Sequence, residues 1–137
     1  MRTYRAAFAG LVLGCAATTA LAAPASRRLD AFSSGVDQLV AAIDVDSVAR
    51  EGDHATVDIV FTLPQAEDRQ IGGRLIHVRD YVIHTEFDCT AKRTRPVSQL
   101  AEDADGSYPV EPDAPDWVDV KPEAPSNMVM KRVCAAK

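Results

Sequence analysis

The cysteines are the side chains of this sequence whose chemistry is easiest to assign. The chain has three, Cys15, Cys89 and Cys134. Cys15 lies in a segment with the features of an export signal, so Cys89 and Cys134 remain as a pair in the mature chain. Because disulfides persist outside the reducing cytosol, we expect these two residues to form one. The alternative is two unrelated buried thiols.

Three side chains with metal-binding chemistry stand at alternate positions, His84, Glu86 and Asp88. On a straight strand they would share one face, and imidazole and carboxylate groups bind metal ions. A solvated polar face explains the same pattern, so we predict no metal site and no cofactor. His77 lies seven residues from His84 and would point to the opposite face of a regular strand.

A second candidate group is basic. It could form a patch on neighbouring strands that binds a polyanion, or it could pair internally with an acidic loop, which we favour; its members are Arg74, Arg79, Lys92, Arg93 and Arg95. The sequence has no Gly-x-Ser-x-Gly elbow, no His-Glu-x-x-His and no Cys-x-x-Cys. We therefore predict no catalytic residues and a protein that is not an enzyme.

The N-terminus has the pattern of a secretory signal peptide. Met1–Arg5 is basic, Ala6–Ala23 is uncharged and largely apolar, and Ala20-Leu21-Ala22 is typical of a signal peptidase site. We predict a signal peptide at residues 1–22, which places the mature protein in the periplasm or at the cell surface. The alternative is a lipoprotein, because Val12-Leu13-Gly14-Cys15 resembles a lipobox whose cysteine is acylated.

Charge and length limit the classes of protein. The whole chain has a net charge of −5, and loss of a leader with two arginines and no acid makes this −7. Such an acidic chain argues against a nucleic-acid partner, which requires clustered Lys and Arg. The apolar run is short for a bilayer-spanning helix, so we predict no transmembrane anchor in the mature chain. The remaining length suits one domain.

The first part of the mature chain has an ambiguous pattern. We expect residues 23–39 to be an N-terminal tail or lead-in segment, with the domain at 40–137. Apolar spacings from Leu29 to Ile43 are compatible with a helix, although Ser33-Ser34-Gly35 interrupts them. Val40–Ile43 could equally begin a strand.

The middle of the chain predicts antiparallel strands. Apolar and polar residues alternate over His54–Leu63, which is typical of a half-buried strand. A polar loop is predicted at Pro64–Gln70. Gly72-Gly73 then opens a long extended run, Arg74–Cys89, and Ala91–Leu100 is its predicted antiparallel return.

The C-terminal part begins with an acidic segment. Glu102–Asp119 carries seven acids, no Lys or Arg and three prolines, which predicts a solvated loop around one short strand near Tyr108–Val110. Trp117 and Val118 are predicted to pin the end of this loop to the core. A short helix should follow with Ser126 as its N-cap, and a disulfide would dock its apolar side onto the sheet. The fold class is therefore α+β: an antiparallel sheet of about five to six strands with a short C-terminal helix tied to it by a disulfide.

Several short motifs occur in an order that resembles a known family. They are Asp44-x-x-Ser47-Val48-x-Arg50-x-Gly52, Thr85-Glu86-Phe87-Asp88-Cys89, Lys92-Arg93-x-Arg95, Trp117-x-x-Val120-x-Pro122 and Val133-Cys134. From Val40 to Cys134 the chain resembles the surface-adhesin protein E-like domain of exported proteins from Gram-negative bacteria. The resemblance implies an antiparallel sheet with a disulfide-bonded C-terminal helix. The family usually has Pro-Gly-Ser ahead of this helix, where this chain has Pro122-Glu123-Ala124-Pro125-Ser126.

The resemblance implies an exported, non-enzymatic, adhesin-like binding module. Its partner would be a host-matrix or envelope macromolecule, and the motifs do not identify the ligand-binding residues. The alternative is a structural or accessory protein of the bacterial envelope with no host ligand. An exposed edge strand could also pair two copies, so a homodimer is a further expectation.

Overall fold

The structure is a computed structural model that describes residues 26–34 and 39–136. Within these residues it contains eight strands, a 3-10 helix and one α-helix. The strands are β1 (Leu29–Ser34), β2 (Val40–Asp44), β3 (Ala49–Glu51), β4 (His54–Ile71), β5 (Arg74–Asp88), β6 (Arg93–Glu102), β7 (Ser107–Val110) and β8 (Val118–Asp119). The 3-10 helix is Val45–Ser47, and the α-helix, α1, is Pro125–Ala135.

The eight strands form one antiparallel sheet. Its main order is β1-β2-β4-β5-β6-β7, while β3 pairs with the start of β4 and β8 pairs with the start of β6. The predicted α+β class is confirmed. The described residues contain more strands than the predicted five to six, because β3 and β8 are only three and two residues long and carry no readable alternation.

The hairpin of β4 and β5 is the centre of the sheet. The alternation predicted from His54 is present, but the strand runs to Ile71, so the predicted loop at Pro64–Gln70 is wrong. Pairing is irregular only between Thr62 and Glu67, around Pro64, which has no N–H to donate, and it then resumes. Gly72 and Gly73 have φ values of 57° and 77°, which a two-residue hairpin turn of type I′ requires.

The first described segment is a strand, not a helix. Leu29–Ser34 pairs with β2, from Leu29 opposite Asp44 to Ser34 opposite Val40. The helix prediction for Leu29–Ile43 is therefore wrong, and the alternative of a strand starting at Val40 is confirmed. A short, interrupted helix is only marginally stable by itself, whereas β2 is held by its pairing with β4.

The main core lies between the sheet and α1. Val57 and Phe87 from the sheet and Val129 and Val133 from the helix have no exposed surface. Burying a side chain of this kind contributes roughly 1.5–3 kcal/mol. A second cluster packs the outer half of the β4–β5 hairpin onto β6 and β7, through Ile76, Val78, Ala101 and Tyr108.

Helix α1 is fixed to the sheet at its C-terminal end by the predicted disulfide. Cys89 and Cys134 are bonded across a sequence separation of 45 residues. Arg50 of β3 donates to the carbonyl oxygens of Cys134 and Ala136, which have no partner within the helix. The end of the helix is thus held both covalently and by a side chain of the sheet.

The helix begins one residue before the predicted N-cap. Pro125 occupies its first turn and Ala124 is the N-cap residue, with no side-chain cap, so the assignment of Ser126 is wrong. Proline is favoured at this position because the first N–H groups of a helix have no partner in any case. The buried Asn127 holds the entry to the helix by donating its Nδ2 hydrogen to Pro122 O at 2.7 Å.

An ion pair ties the N-terminal segment to the other side of the sheet. Arg27 donates to both carboxylate oxygens of Glu102 at 2.6 and 2.8 Å, and Ser107 Oγ donates to the same group at 2.7 Å. The Glu102 side chain is 2 % exposed. Burial would raise the pKa of Glu102, but the hydrogen bonds from Arg27 and Ser107 and the charge of Arg27 outweigh it and lower this pKa.

The two edges of the sheet are β1 and β7. Pro109 in β7 has no N–H for pairing with another strand, and the register of β1 is irregular between Ala31 and Ser33. Both features oppose edge-to-edge pairing of two copies. The homodimer therefore stays a prediction without support from these edges.

No helix in residues 26–34 and 39–136 is long and apolar enough to cross a membrane. The predicted signal peptide at residues 1–22 lies outside the described residues, as does Cys15, the site of the alternative lipid anchor.

We expect Cys134→Ser to destabilise the mature protein. The lost cross-link closes a loop of 45 residues, which is worth about 4 kcal/mol in the chain-entropy model. Calorimetry should show a melting temperature lower by about 10 °C or more. Reductant should bring the wild-type protein to the same value and leave the variant unchanged. Two titratable thiols in the native, air-oxidised protein would contradict this account.

We also expect Arg27→Ala to lower the free energy of unfolding by about 3 kcal/mol, because it leaves the buried Glu102 carboxylate without a counter-charge. Arg28→Ala is the matched control: Arg28 pairs with Asp46, and both side chains are more than 60 % exposed. Arg28→Ala should change the free energy of unfolding, measured with denaturant, by no more than about 0.5 kcal/mol.

The contribution of Glu102 to the free energy of unfolding depends on pH in a definite direction. Since the folded protein lowers the pKa of Glu102 from its ordinary value of 4.5, the stabilisation is complete above that pH. It is lost as the pH falls through the lowered value. The difference between wild type and Arg27→Ala should therefore shrink in acid, and a difference that grows below pH 4.5 would contradict the assignment.

Candidate binding surface

The sheet face opposite α1 carries the polar side chains of β4, β5 and β6, and we call it the polar face. The register places His54 opposite Asp88, Thr56 opposite Glu86 and Asp58 opposite His84. Arg93 and Arg95 of β6 stand opposite Asp88 and Glu86. Side chains of alternating residues thus meet across three neighbouring strands.

The three residues considered as metal ligands lie on this face, but each has a different partner. His84 Nδ1 is 2.7 Å from Asp58 Oδ1. Glu86 contacts His54 Nδ1 at 2.9 Å and accepts from Arg95, while Asp88 accepts from Arg93 and from the backbone N–H of Ala91. Across the described part of the chain, no three His, Cys, Asp or Glu side chains are arranged to hold a metal ion.

Trp117 lies against this polar network and is half-buried. The guanidinium carbon of Arg95 is 4.7 Å from the centre of the Trp117 ring, and that of Arg93 is 5.4 Å from it. The His54 ring approaches edge-on, with ring centres 6.0 Å apart and planes at 67°. We call Trp117, Arg93, Arg95, His54 and Glu86 the Trp117 cluster.

Ion pairs hold the two arginines of the cluster in place. Arg95 lies 2.7 Å from Glu86, and Arg93 lies 3.3 Å from Asp88. Burial would raise the pKa of Glu86, but hydrogen bonds and charge from Arg95 and His54 outweigh it and lower this pKa. The hydrogen bond from Ala91 N–H, with Arg93, lowers the pKa of Asp88. Both carboxylates are therefore charged at neutral pH and keep the guanidinium planes oriented.

The predicted basic patch does not form as one surface. Arg93 and Arg95 belong to the Trp117 cluster, whereas Arg74 begins β5 at the other end of the strand and stacks 5.7 Å from the Tyr108 ring. The acids that pair with Arg93 and Arg95 are in β5, not in the acidic loop. The predicted pairing with the acidic loop is therefore wrong for these two arginines, because β5 supplies carboxylates directly opposite them in the sheet.

The prediction that Trp117 and Val118 pin the loop to the core is wrong. Trp117 packs on the polar face and Val118 is 51 % exposed, while Val120 is the residue that enters the core with α1. The sequence signal for the cluster was present in part. Arg93 and Arg95 are two residues apart and share a face of β6, but their meeting with Trp117 depends on the pairing of β8 with β6.

Comparison with known families and structures gives a consistent result. The model of the family described as surface-adhesin protein E matches residues 33–135. A structure of Haemophilus influenzae protein E superimposes with a TM-score of 0.61 at 15% identity, covering 84% of this chain and 91% of that one. A structure of protein E from non-typeable Haemophilus influenzae gives a TM-score of 0.60 at 16% identity, covering 85% and 83%.

At this level of identity the structural similarity establishes the fold, and the family match establishes the relationship. The comparison with curated protein sequences gives no match. The matched residues include both cysteines of the disulfide, the Trp117 cluster and all of α1. The chain belongs to the surface-adhesin protein E family.

Proposed function

We propose that this chain is an exported, non-enzymatic binding module that contacts a macromolecule at the cell envelope or surface through the Trp117 cluster. Family membership supports an adhesin-like role. The cluster supports the choice of surface, because in it a large aromatic ring is partly exposed and is flanked by charged side chains.

The approach of two arginine guanidinium groups to the Trp117 ring, at 4.7 and 5.4 Å from its centre, is the observation that carries this proposal. Trp, Tyr and Arg are the residues that most often dominate binding energy at protein interfaces. Here Glu86 and Asp88 fix both guanidinium groups before a ligand arrives, so little side-chain entropy is lost on binding. A half-buried ring with an oriented polar border suits contact with a folded macromolecule.

A non-enzymatic role agrees with the chemistry of the site. Cys89 is bonded to Cys134 and offers no thiol nucleophile. The imidazoles of His54 and His84 are each engaged by a carboxylate, Glu86 and Asp58. The pairs His54–Glu86 and His84–Asp58 therefore fit a polar sheet surface.

Export rests on the N-terminal pattern and is supported by the disulfide, which suits an oxidising compartment. We propose cleavage near Ala22, a lead-in over residues 23–39 and a domain over 40–137. Cleavage there keeps Arg27 and its ion pair with Glu102 in the mature protein. Mass spectrometry of the natural N-terminus separates this from acylation at Cys15, the lipoprotein alternative.

We expect Trp117→Ala to weaken ligand binding while the fold persists. Truncation of an interface hot spot costs about 2 kcal/mol or more, which is about thirtyfold in Kd. Binding should be measured on immobilised host-matrix and envelope extracts with the oxidised mature protein. Val118→Ala is the matched control, since Val118 is the exposed neighbour. Equal binding by Trp117→Ala, with an unchanged melting temperature, would refute the role of the cluster.

Location separates an adhesin from an accessory envelope protein. If the polar face meets a ligand outside the cell, protease added to intact cells should degrade the protein, while a periplasmic marker survives. Protection of the chain on intact cells, with degradation after the outer membrane is permeabilised, would rule out the adhesin. The structural or accessory role within the envelope would then be the correct one.

A further inference from the structure

A groove opens on the helix side of the sheet, away from the Trp117 cluster. It has a volume of about 590 Å³. Phe61 and Leu63 of β4, Tyr81 and Ile83 of β5, and Val110 at the end of β7 form its apolar wall. Cavities that bind organic ligands or side chains of a partner commonly have volumes of roughly 300–1,000 Å³.

A smaller apolar cleft of about 180 Å³ adjoins this groove beneath the start of α1. Ile59 and Phe61 of the sheet and Pro125 and Val129 of the helix line it. Since Leu39 and Phe61 line both, the two are adjacent compartments of unequal size. Such compartments can receive successive apolar side chains of one partner segment.

The border of the groove carries an excess of negative charge. Glu67 and Arg69 form an ion pair at 2.9 Å and cancel each other. Glu111 and Asp113 line the same groove and are exposed. Among the described residues, no Lys, Arg or His nitrogen lies within 4.0 Å of their carboxylates. These two acids are therefore available to a cationic partner.

Tyr81 gives the wall an aromatic face at the charged border. Its hydroxyl donates to Glu67 Oε1 at 3.2 Å. Burial and this hydrogen bond raise the pKa of Tyr81, so the ring remains a neutral phenol. A neutral aromatic ring that lines the same groove as two free carboxylates lets the groove attract cationic side chains through both cation–π and Coulomb interactions.

We propose that this groove binds a peptide segment of a partner protein in which apolar residues alternate with Lys or Arg. In an extended segment, alternate side chains point to opposite sides. The apolar set would fill the two compartments. The basic set would start on the outer side of the segment, and its long side chains would fold back over the border to the exposed Glu111 and Asp113. This binding goes beyond the proposed function, because it uses a different face and none of the residues of the Trp117 cluster.

A matched set of three synthetic ten-residue peptides tests the proposal. One alternates Leu with Lys, one alternates Leu with Glu, and one alternates Ser with Lys. Titration into the ¹⁵N-labelled, oxidised mature protein should show saturable amide shifts at Ile83 and Val110 for the Leu–Lys peptide alone. The other two peptides remove either the charge match or the apolar side chains.

Charge reversal at the border provides the decisive variant. The double variant Glu111→Lys with Asp113→Lys should lower the affinity for the Leu–Lys peptide by about tenfold or more, and it should allow the Leu–Glu peptide to bind. The control variant, Asp105→Lys with Glu123→Lys, changes the net charge by the same amount at exposed positions that do not line the groove. Its affinity for the Leu–Lys peptide should stay within about twofold of that of the wild type. Trp117→Ala should also leave this affinity unchanged.

Three results would overturn the proposal. The first is equal shifts for the Leu–Lys and Ser–Lys peptides, which would indicate charge attraction alone. The second is an equal loss of affinity in both charge-reversal variants. The third is sedimentation of the free protein as a dimer with these amides protected, since a second copy would then cover the groove.

Discussion

The register between β4 and β5 is the constraint on which the rest of the structure depends. These two strands pair from His54 opposite Asp88 to Ile71 opposite Arg74, with one interruption around Pro64. A shift of one residue would move every side chain of a strand to the opposite face. With the observed register, Val57 and Phe87 meet α1. On the polar face His84 meets Asp58, and Glu86 meets His54.

Two long-range links keep the faces of this sheet distinct. On one side, Cys89–Cys134 and Arg50 hold α1 over the core, so the helix cannot move away without exposing Val129 and Val133. On the other, Arg27 brings the N-terminal segment to the buried Glu102. The helix face thus carries the main core, while the Trp117 cluster remains ordered but accessible on the other face.

The sequence was most informative where a local pattern and the final environment agree. Alternation from His54, the extended run from Arg74 and the terminal apolar spacing all predicted their elements correctly. The helix over Leu29–Ile43 failed because a few apolar spacings are ambiguous and pairing with β4 decides the outcome. The prediction of a loop at Pro64–Gln70 was wrong because this part of β4 carries many polar residues, as a loop would, although the strand continues to Ile71.

The binding surface itself was less predictable, for a physical reason. Arg93 and Arg95 were recognised as basic residues on one strand, but their acids, Glu86 and Asp88, had been read as ligand candidates. The sequence predicts a core position for Trp117, because no residue near it in the sequence indicates that β8 pairs with β6. The ion pair between Arg27 and Glu102 spans 75 residues and has no local signal at all.

The central claim is that the ligand of this family member meets the polar face at Trp117. The most direct measurement is chemical-shift mapping of the backbone amides and the indole N–H in the labelled mature protein. The ligand to titrate in is the one that the wild-type protein binds from the host-matrix or envelope extracts. The account predicts shifts at the Trp117 indole N–H and at the amides of His54, Glu86 and Arg95, with α1 unaffected. Shifts confined to α1 or to the groove beside it, with the indole signal unchanged, would contradict it.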